Sequence, residues 1–326
     1  MVICRASCSG ELLQRPVRWV IWWQNSGWRT NCKRLIPLVA QSDTKTSWQS
    51  RQQQRLVVKM KQVEVSDAVW QRLLKVKLGE ACACCGDWAD SELAALDLYG
   101  PIARRDAGAV IVGQVGQSLD GRVTAFDGDS KDVSGPDGIV HLHRLRALVD
   151  AVVIGVNTAL IDTPRLTVRH CEGANPARVV IDPKGRLEND SPVFYKDGTR
   201  RVVIQATDTK RPSGVEVLKL SDTKGQFHPE SIIDGLSEIG LNHLLIEGGA
   251  FTIAKFIDND LLSRLHIGIS PLIIGSGKQG ISLQTEQNKL EDAIRPATRS
   301  FALGPEVVFD CGISADSKAS VQPLHG

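Results

Sequence analysis

The chain has 326 residues, a formal net charge of +2 and 42% hydrophobic residues, values typical of a globular protein that buries a sizeable core. The nearly balanced charge argues against a nucleic-acid partner, and no apolar stretch is long enough to predict a membrane-spanning helix. Eight cysteines without a secretory signal argue against a disulfide framework. We therefore expect a reduced, cytoplasmic protein.

The first 60 residues differ in composition from the rest. They contain seven Arg and three Lys against two acidic residues, a net charge of +8, and five of the seven Trp. A targeting peptide and a basic nucleic-acid arm are both alternatives, but the segment has neither an amphipathic period nor a dense Lys/Arg cluster. We expect translation to begin at Met60 and residues 1–60 to lie outside the folded protein.

Residues 61–105 are predicted to form a short helical pre-domain. Ser66 is a candidate N-cap for a first helix. A second helix is expected from Ser91 to Leu98, with Gly100 and Pro101 ending it. The cluster Cys82-Ala-Cys84-Cys85 carries a third cysteine inside its C-x-x-C spacing, and no second ligand pair follows it, so we expect no metal site.

The segment 106–313 is predicted to be one α/β domain, followed by a frayed tail at 314–326. Several strand candidates are continuous Val/Ile/Leu runs, which predicts a mostly parallel sheet covered by helices on both faces. The last two strands follow each other closely, so we expect an antiparallel edge. The predicted strands are 109–115, 151–155, 178–181, 201–205, 215–220, 243–246, 265–274 and 307–310, and the predicted helices are 139–149, 229–239 and 252–257.

A strand that ends in Glu247 is followed by Gly248, Gly249 and a helix. Paired glycines let the backbone turn sharply, and a helix N-terminus carries partial positive charge. The pattern predicts a phosphate or pyrophosphate site or, equally, a simple tight turn. The G-x-G-x-x-G run at 275–280 lacks a following helix, so we expect it to border the site without being a dinucleotide fingerprint.

The stretch 157–169 follows another buried strand and carries polar groups suited to a phosphorylated ligand. Thr158 and Asp162 can exchange hydrogen bonds with it. Arg165 and Arg169, joined by Arg146 from the preceding helix, could clamp a phosphate with paired donors. The alternative is that these arginines are solvated surface charges. A further turn after the first strand contains Ser118 and Asp120, which could do no more than shape that turn.

Taken in order, eight motifs of this chain resemble the reductase domain of bifunctional riboflavin-biosynthesis deaminase/reductase proteins, a relative of dihydrofolate reductase. The resemblance covers residues 109–283. It implies a three-layer, dihydrofolate-reductase-like α/β domain with a mostly parallel mixed sheet flanked by helices. The motifs are Ser118-Leu-Asp-Gly-Arg122, Ser134-Gly-Pro136, His143-Arg-Leu-Arg146, Asp150-Ala-Val-Val-Ile-Gly155, the stretch from Thr158 to Arg169, Arg178-Val-Val-Ile-Asp182, Glu247-Gly-Gly249 and Pro271-Leu-Ile-Ile-Gly-Ser276.

The resemblance also implies a reaction and its residues. NADPH reduces a ribosylamino group on a pyrimidine 5′-phosphate to a ribitylamino group, and the enzyme is a homodimer. Asp162 is the candidate for organising proton transfer, with a positioned water as the alternative. The implied cofactor-binding residues are Ser118, Thr158, Asp162, Gly248, Gly249, Ala250, Phe251 and Thr252. The implied substrate-binding residues are Ser130, Arg146, Arg165, Arg169 and Glu247.

Two positions depart from the family pattern. Gln114 stands where a Lys is expected in the first strand. Pro183 replaces a polar residue after the third strand, although Lys184 and Arg186 lie close enough to hold a 2′-phosphate. NADH therefore stays open beside NADPH. The zinc deaminase half is not present, because its signature needs H-x-E followed by P-C-x-x-C; His141-Leu-His143 is not H-x-E, and P-C-x-x-C does not occur in the chain.

Two other functions stay open. A related reductase acting on a different heterocycle would keep this fold, and Gln114 makes that more plausible. A non-catalytic nucleotide-binding protein would keep the pocket without turnover, which the retained arginines argue against.

Overall fold

The computed structural model of the chain describes residues 60–285 and 289–313. The expectations about residues 1–59 and about the tail 314–326 lie outside these residues. Within the described part, no helix has the length and apolar character needed to cross a membrane.

Each of the eight predicted strand segments contains a strand, and four more strands occur among the described residues. Pro271 explains why one strand ends at Ser270 and not at residue 274, since proline has no N–H to donate to the ladder. The strands are β1 (Lys61–Gln62), β2 (Val110–Ser118), β3 (Arg122–Thr124), β4 (Ala151–Gly155), β5 (Ala177–Ile181), β6 (Arg201–Gln205), β7 (Val215–Lys219), β8 (His243–Glu247), β9 (Arg264–Ser270), β10 (Lys278–Gln279), β11 (Ala297–Leu303) and β12 (Glu306–Gly312).

Ten of these strands form one sheet in the order β1-β11-β12-β9-β2-β8-β4-β5-β6-β7, and β3 pairs with β10 in a separate two-stranded sheet. Neighbours in the large sheet are parallel except where β12 pairs with β9 and β11. The mostly parallel mixed sheet is thus confirmed. The expected antiparallel edge is wrong in its position, because β12 is interior and the unpredicted β11 and β1 lie outside it.

Six helices of the described residues cover the two faces of the large sheet: α1 (Asp67–Lys77), α2 (Asp90–Ala103), α3 (Pro136–Leu148), α4 (Val156–Ile161), α5 (Pro229–Glu238) and α6 (Ala250–Asp258). One core cluster joins α1, α2 and α3 to the sheet, and a second joins α5 and α6 to its other face. The predicted three layers are confirmed. Ser66 caps α1 as expected, since its Oγ accepts a hydrogen bond from the N–H of Val69 at 3.3 Å.

The expected stop of α2 at Gly100-Pro101 is wrong, since the helix continues through both residues to Ala103. Proline has no N–H to offer the carbonyl four residues earlier, which here belongs to Asp97. The guanidinium of Arg299 on β11 donates to that carbonyl oxygen at 2.8 Å instead. A tertiary contact therefore replaces the hydrogen bond that Pro101 removes.

The segment 61–105 packs on the same core as the strands that follow it. Trp70, Leu73 and Tyr99 belong to one buried cluster with Leu145 of α3 and Val152 of β4. Burying a side chain of this size contributes roughly 1.5–3 kcal/mol. In addition, β1 extends the large sheet by pairing with β11. The domain boundary at residue 105 stays a prediction.

Candidate functional site

The turn between β8 and α6 forms the centre of the candidate site. Gly248 and Gly249 have φ angles of +65° and +60°, which glycine adopts without strain. A Cβ at Gly248 would lie 3.1 Å from Thr158 Cγ2, and one at Gly249 would lie 3.0 Å from Thr158 Oγ1. Gly249 caps a nine-residue helix, α6. Bare backbone at a helix N-terminus is well suited to hold a phosphate.

Two clefts meet at this turn. The larger has a volume of about 560 Å³ and the smaller about 370 Å³. Both open at the carboxyl ends of β4 and β8, where ligands of parallel sheets bind. The residues common to both clefts are Asn157, Thr158, Gly249 and Phe251.

Most of the predicted cofactor-binding residues line these clefts. Thr158 lines both, because α4 begins directly after β4 and faces the glycine turn. Thr252 lines the smaller cleft. Five others line the larger cleft, and two of these, Gly249 and Phe251, also line the smaller one. The five are Asp162, Gly248, Gly249, Ala250 and Phe251.

Asp162 lies at the C-terminal end of α4, where its backbone N–H donates to the carbonyl of Thr158 at 2.9 Å. Burial raises the pKa of its carboxyl, and the nearby positive charge of Lys278 opposes that rise. A carboxyl whose proton is held more tightly than usual can take part in proton transfer at the cleft.

Ser118 does not line either cleft in the described part of the chain. Its side chain is buried, and its Oγ donates to Asp120 Oδ1 at 2.6 Å and accepts from the N–H of Arg122 at 2.9 Å. Asp120 accepts from the N–H groups of Ile274 and Gly275. Ser118 therefore shapes a turn, as the alternative interpretation held, and its contact with a nicotinamide stays a prediction without support from its position.

Glu247 and Ser130, two predicted substrate contacts, line the larger cleft. Glu247 forms a buried ion pair with Arg146 of α3. Arg146 Nε donates to Glu247 Oε2 at 2.8 Å, and Nη2 donates to the other carboxylate oxygen. Arg146 Nη1 donates to the carbonyl of Thr167 at 3.1 Å. Arg146 thus orients Glu247 and the loop after α4, and among the described residues it is not part of the cleft wall.

Arg169 and Arg165 are exposed and lie outside the two clefts, although the three arginines are close in space. Partial desolvation of the guanidinium, together with the charges of Arg146 and Arg165, lowers the pKa of Arg169. Arg165 lines a neighbouring cavity of about 640 Å³ with Thr167. Such a concentration of positive charge beside the cleft favours an anionic group there.

The loop that carries these arginines is anchored by Leu166. Its side chain is 1% exposed, and its φ is +54°, a left-handed conformation that is uncommon for a residue with a Cβ. The backbone N–H of Arg169 donates to His143 Nδ1 at 2.9 Å. Burial and the charges of Arg146 and Arg169 lower the pKa of His143 to about 3. His143 is therefore a neutral acceptor at physiological pH that fixes the loop.

The G-x-G-x-x-G run borders the site as expected and opens no helix. Its Lys278 and Gln279 form β10, which pairs with β3 and lines the larger cleft. A Cβ at Gly277 would lie 1.8 Å from the carbonyl oxygen of Thr124, so this glycine permits the pairing. No local pattern in the sequence marks Lys278 as a site residue, because only the tertiary fold brings it near Asp162.

The smaller cleft carries three cations and, among the lining residues that the structure describes, no acidic side chain. The cations are Lys184, Arg186 and Lys255. Arg186 donates to Asn157 Oδ1 at 2.7 Å, and Lys255 lies 4.7 Å from the ring centre of Phe251. Lys184 and Arg186 follow β5, as expected. Lys255 lies on α6, and the residues around Pro183 gave no indication of this third cation.

Comparison with known proteins places the chain among reductase domains. A family model described as the RibD C-terminal domain matches residues 109–309. The chain is 32% identical over 167 residues to the riboflavin biosynthesis protein RibD of Aquifex aeolicus, which covers 49% of this chain and 46% of that protein. It is 29% identical over 206 residues to the 2,5-diamino-6-ribosylamino-4(3H)-pyrimidinone 5′-phosphate reductase of Methanothermobacter thermautotrophicus, covering 59% of this chain and 93% of that protein.

Solved structures give the same result for the fold. A deaminase/reductase of Thermotoga maritima superposes with a TM-score of 0.55 at 25% identity, covering 69% of this chain and 62% of that chain. The riboflavin biosynthesis reductase of Saccharomyces cerevisiae, at 22% identity, superposes with a TM-score of 0.51 over 64% of this chain and 90% of that chain, which shows the fold alone. The expected dihydrofolate-reductase-like fold is confirmed.

The chain spans about half the length of the Aquifex RibD protein. The segment that the family model matches is well over half of the chain, however, and it contains β2 to β9 with both clefts. By this match and by the shared fold, the chain belongs to the family of RibD C-terminal domains.

Proposed function

We propose that this protein reduces the ribosylamino group of a pyrimidine 5′-phosphate to a ribitylamino group, with NADPH as the reductant, in riboflavin biosynthesis. The observation that carries the proposal is the meeting of two clefts at one glycine turn. A dinucleotide spanning both clefts would bring its reactive end into the larger one. The name of the Methanothermobacter relative, a reductase of such a phosphate, supports the same function.

The residues of the smaller cleft and the turn fit NADPH. The two positive-φ glycines leave space that a Cβ would fill, and the α6 N-terminus favours a pyrophosphate. Dinucleotide sites that select NAD use an acidic residue on the ribose 2′-hydroxyl, whereas Arg suits a 2′-phosphate. The three cations of this cleft, without an acidic neighbour among the described lining residues, favour NADPH over NADH.

The larger cleft supplies the groups that the reduction needs. The bound nicotinamide supplies a hydride to C1 of the opened sugar, which is at the oxidation level of an imine or aldehyde. Glu247, held by Arg146, fixes the position of the substrate. Asp162, with its raised pKa, delivers the proton to the nitrogen or oxygen that gains the electron pair. The exposed Arg169 meets the 5′-phosphate at the rim.

The test measures the oxidation of NADPH by the purified full chain, with the phosphoribosylamino-pyrimidine as substrate. NADH is measured in parallel, and the pyrimidine is supplied in both its deaminated and its non-deaminated form. We expect substrate-dependent loss of NADPH absorbance and a lower KM for NADPH than for NADH. Binding of NADPH without oxidation would contradict the reaction and favour a nucleotide-binding protein. A preference for NADH would contradict the assigned role of the three cations.

One observation favours a second candidate, a reductase of the same fold that acts on another heterocycle. Gln114 lines the larger cleft, 8% exposed, and pairs in register with Glu247. Its amide offers both a donor and an acceptor, whereas a Lys would offer positive charge and donors but no acceptor. Turnover of a different phosphorylated heterocycle, with none of the ribosylamino-pyrimidine, would favour this candidate.

We also propose a cytoplasmic homodimer. Leu119, Leu272 and Ile273 form an exposed apolar patch, in which the N–H of Leu119 donates to the carbonyl of Leu272 at 2.8 Å. Exposed apolar patches commonly mark protein interfaces. Light scattering of the full chain tests this proposal, and a monomer at all concentrations would contradict it.

A further inference from the structure

A loop far from both clefts brings three cysteine sulfurs together. The Sγ atoms of Cys82, Cys84 and Cys85 all lie within 4.8 Å of one another, and those of Cys84 and Cys85 are 3.9 Å apart. Sulfurs that share a Zn²⁺ at a Zn–S distance of about 2.3 Å are separated by roughly 3.8–4.0 Å. The sulfurs are thus within a small adjustment of the geometry of a tris-thiolate metal site.

The loop is held in this shape by contacts with the folded domain. Ala83 is 4% exposed and belongs to the main core cluster, so the cysteines on either side of it remain outside the core. The indole of Trp88 donates to the carbonyl of Cys85 at 3.1 Å. Gly86 has φ of +131°, and a Cβ there would lie 2.4 Å from the Trp88 ring, so only glycine fits. The convergence of the sulfurs is therefore built into the loop.

The sulfurs lie beside a cavity that two arginines also line. Arg104 interacts electrostatically with Cys84, and Arg104, Arg105, Cys82 and Cys84 line one cavity of about 340 Å³. The thiolate is the form of cysteine that binds metals, and metal binding itself releases the thiol protons.

We propose that Cys82, Cys84 and Cys85 bind one thiophilic d¹⁰ cation, Zn²⁺ or Cu⁺, through three thiolates, with the remaining coordination position open to the cavity. Soft thiolate ligands select these ions over Mg²⁺ or Ca²⁺. A tris-thiolate complex of Zn²⁺ carries one net negative charge, and Arg104, which is also paired with Asp106, interacts electrostatically with Cys84. The sequence-based expectation of no metal rested on the lack of a second ligand pair, whereas the folded loop brings three sulfurs together without one.

The test is competition of the reduced full chain with chromophoric chelators, one arm with Zn²⁺ and one, without oxygen, with Cu⁺. We expect one equivalent to be bound in at least one arm, with an ultraviolet thiolate-to-metal charge-transfer band. Cys82→Ser, Cys84→Ser and Cys85→Ser should each weaken binding by more than about 100-fold, since loss of a mere outer-sphere partner already costs about 10–100-fold. The arm with the tighter binding identifies the cation.

Two controls make the result specific. Cys171→Ser changes a half-buried cysteine elsewhere in the fold and should leave binding unchanged. A variant with Cys4, Cys8 and Cys32 all replaced by Ser should also bind one equivalent. Circular dichroism of the three loop variants should match that of the unaltered chain, because the cysteine side chains lie outside the core. Binding that survives Cys84→Ser, or that disappears with Cys4, Cys8 and Cys32, would overturn the proposal, as would no binding in either arm.

Discussion

At the scale of single residues, the arginines beside the cleft differ in their contacts and in their exposure. Arg146 is committed to Glu247 and Thr167, so its guanidinium serves to position other groups. Arg169 makes a side-chain hydrogen bond to Thr167 but is exposed, which leaves donors for a ligand. Two arginines that look equivalent in the sequence therefore differ in the contacts open to them, because Arg146 is buried and Arg169 is exposed.

Arg169→Ala tests the phosphate contact. Hydrogen bonds to charged groups contribute about 1.5–3 kcal/mol, so we expect KM for the phosphorylated pyrimidine to rise roughly 10- to 100-fold. The dissociation constant for NADPH, measured by fluorescence titration, should change less than about twofold. Lys289→Gln, at an exposed position away from the clefts, is the matched loss of charge and should leave both constants unchanged. An equal effect of Arg169→Ala on both ligands would show that the residue is misassigned.

Asp162→Asn tests the proton-transfer group. We expect kcat to fall about 10²- to 10⁴-fold with little change in KM. Burial raises the folded-state pKa, so ionised Asp162 lowers the stability of the folded protein at neutral pH. The Asn variant should therefore have the higher Tm at pH 7, and this difference should vanish once the pH is below the unfolded pKa. Unchanged kcat would assign the proton transfer to a bound water.

At the scale of elements, a row of polar residues crosses five neighbouring strands of the large sheet. Register places Arg299 opposite Asp310, Asp310 opposite His266, His266 opposite Gln114, and Gln114 opposite Glu247. Asp310 forms ion pairs with Arg264 and, at 2.8 Å, with Arg299. The row connects the unpredicted β11 with the cleft. Asp310 has its charge partners on the adjacent strands β9 and β11, and Glu247 has its partner Arg146 on α3.

His141 and Tyr99 extend this row into the helix layer. His141 Nε2 lies 3.2 Å from His266 Nδ1, and the Tyr99 hydroxyl lies 2.8 Å from His141 Nδ1. Burial and the nearby His266 lower the pKa of His141 well below its usual value. This histidine is therefore neutral at physiological pH, and it links α2 and α3 to β9 by hydrogen bonding.

Asp310→Asn tests how much this row of polar residues contributes to the stability of the fold. Removing one partner of a buried ion pair leaves uncompensated charge, so we expect a loss of about 3–5 kcal/mol in the free energy of unfolding in urea at pH 7. Glu216→Gln, which removes the partner of Arg200 in an exposed pair, should cost less than about 1 kcal/mol. Equal losses would show that the buried row contributes no more than a surface contact.

The pH dependence of the Asp310 contribution has a definite sign. Burial alone would raise the pKa of this carboxyl, but His266 and Arg264 outweigh burial and hold the pKa well below its usual range. The stabilisation is therefore present above the unfolded pKa of about 3.9 and is lost as the pH falls below it. The difference in stability between the unaltered chain and Asp310→Asn should narrow in the same pH range.

At the scale of the whole molecule, residues 61–105 contribute to the main core. Trp70 is 6% exposed, packs edge-to-face on Tyr99 at 6.4 Å, and donates from its indole to the carbonyl of Glu172 at 3.0 Å. The segment lies before the residues that the family model matches. It nevertheless covers the same face of the sheet as α3. The strands of the matched region need this face to be buried.

Trp70→Ala tests whether this segment is integral to the fold. We expect a loss of about 3–5 kcal/mol in the free energy of unfolding in urea, because a large buried side chain leaves a cavity. Phe126→Ala, at a side chain that is 84% exposed, should change the free energy of unfolding by less than about 0.5 kcal/mol. A single transition that moves to lower urea for Trp70→Ala supports one cooperative unit. A separate early transition would indicate an independent appendage.

The sequence by itself determined the layered fold and most of the cleft. Short, β-branched apolar runs such as Val152–Ile154 favour strands that are covered on both faces, and the paired glycines Gly248 and Gly249 favoured a tight turn. These signals are local, because they depend on residues that are neighbours in the chain. For this reason the strands, the flanking helices and the glycine turn were predictable.

Only the tertiary structure decided which polar residues are buried and what they contact. β11 contains Thr298, Arg299 and Ser300, so its pattern lacks the apolar run of a buried strand, and it is stable because Asp310 neutralises Arg299. The pairing of Arg146 with Glu247 joins residues 101 positions apart. Charge compensation acts through space and leaves no period in the sequence. The folded chain therefore determines that Lys278 lies near Asp162. It also determines that Ser118 is buried and how closely the three sulfurs approach one another.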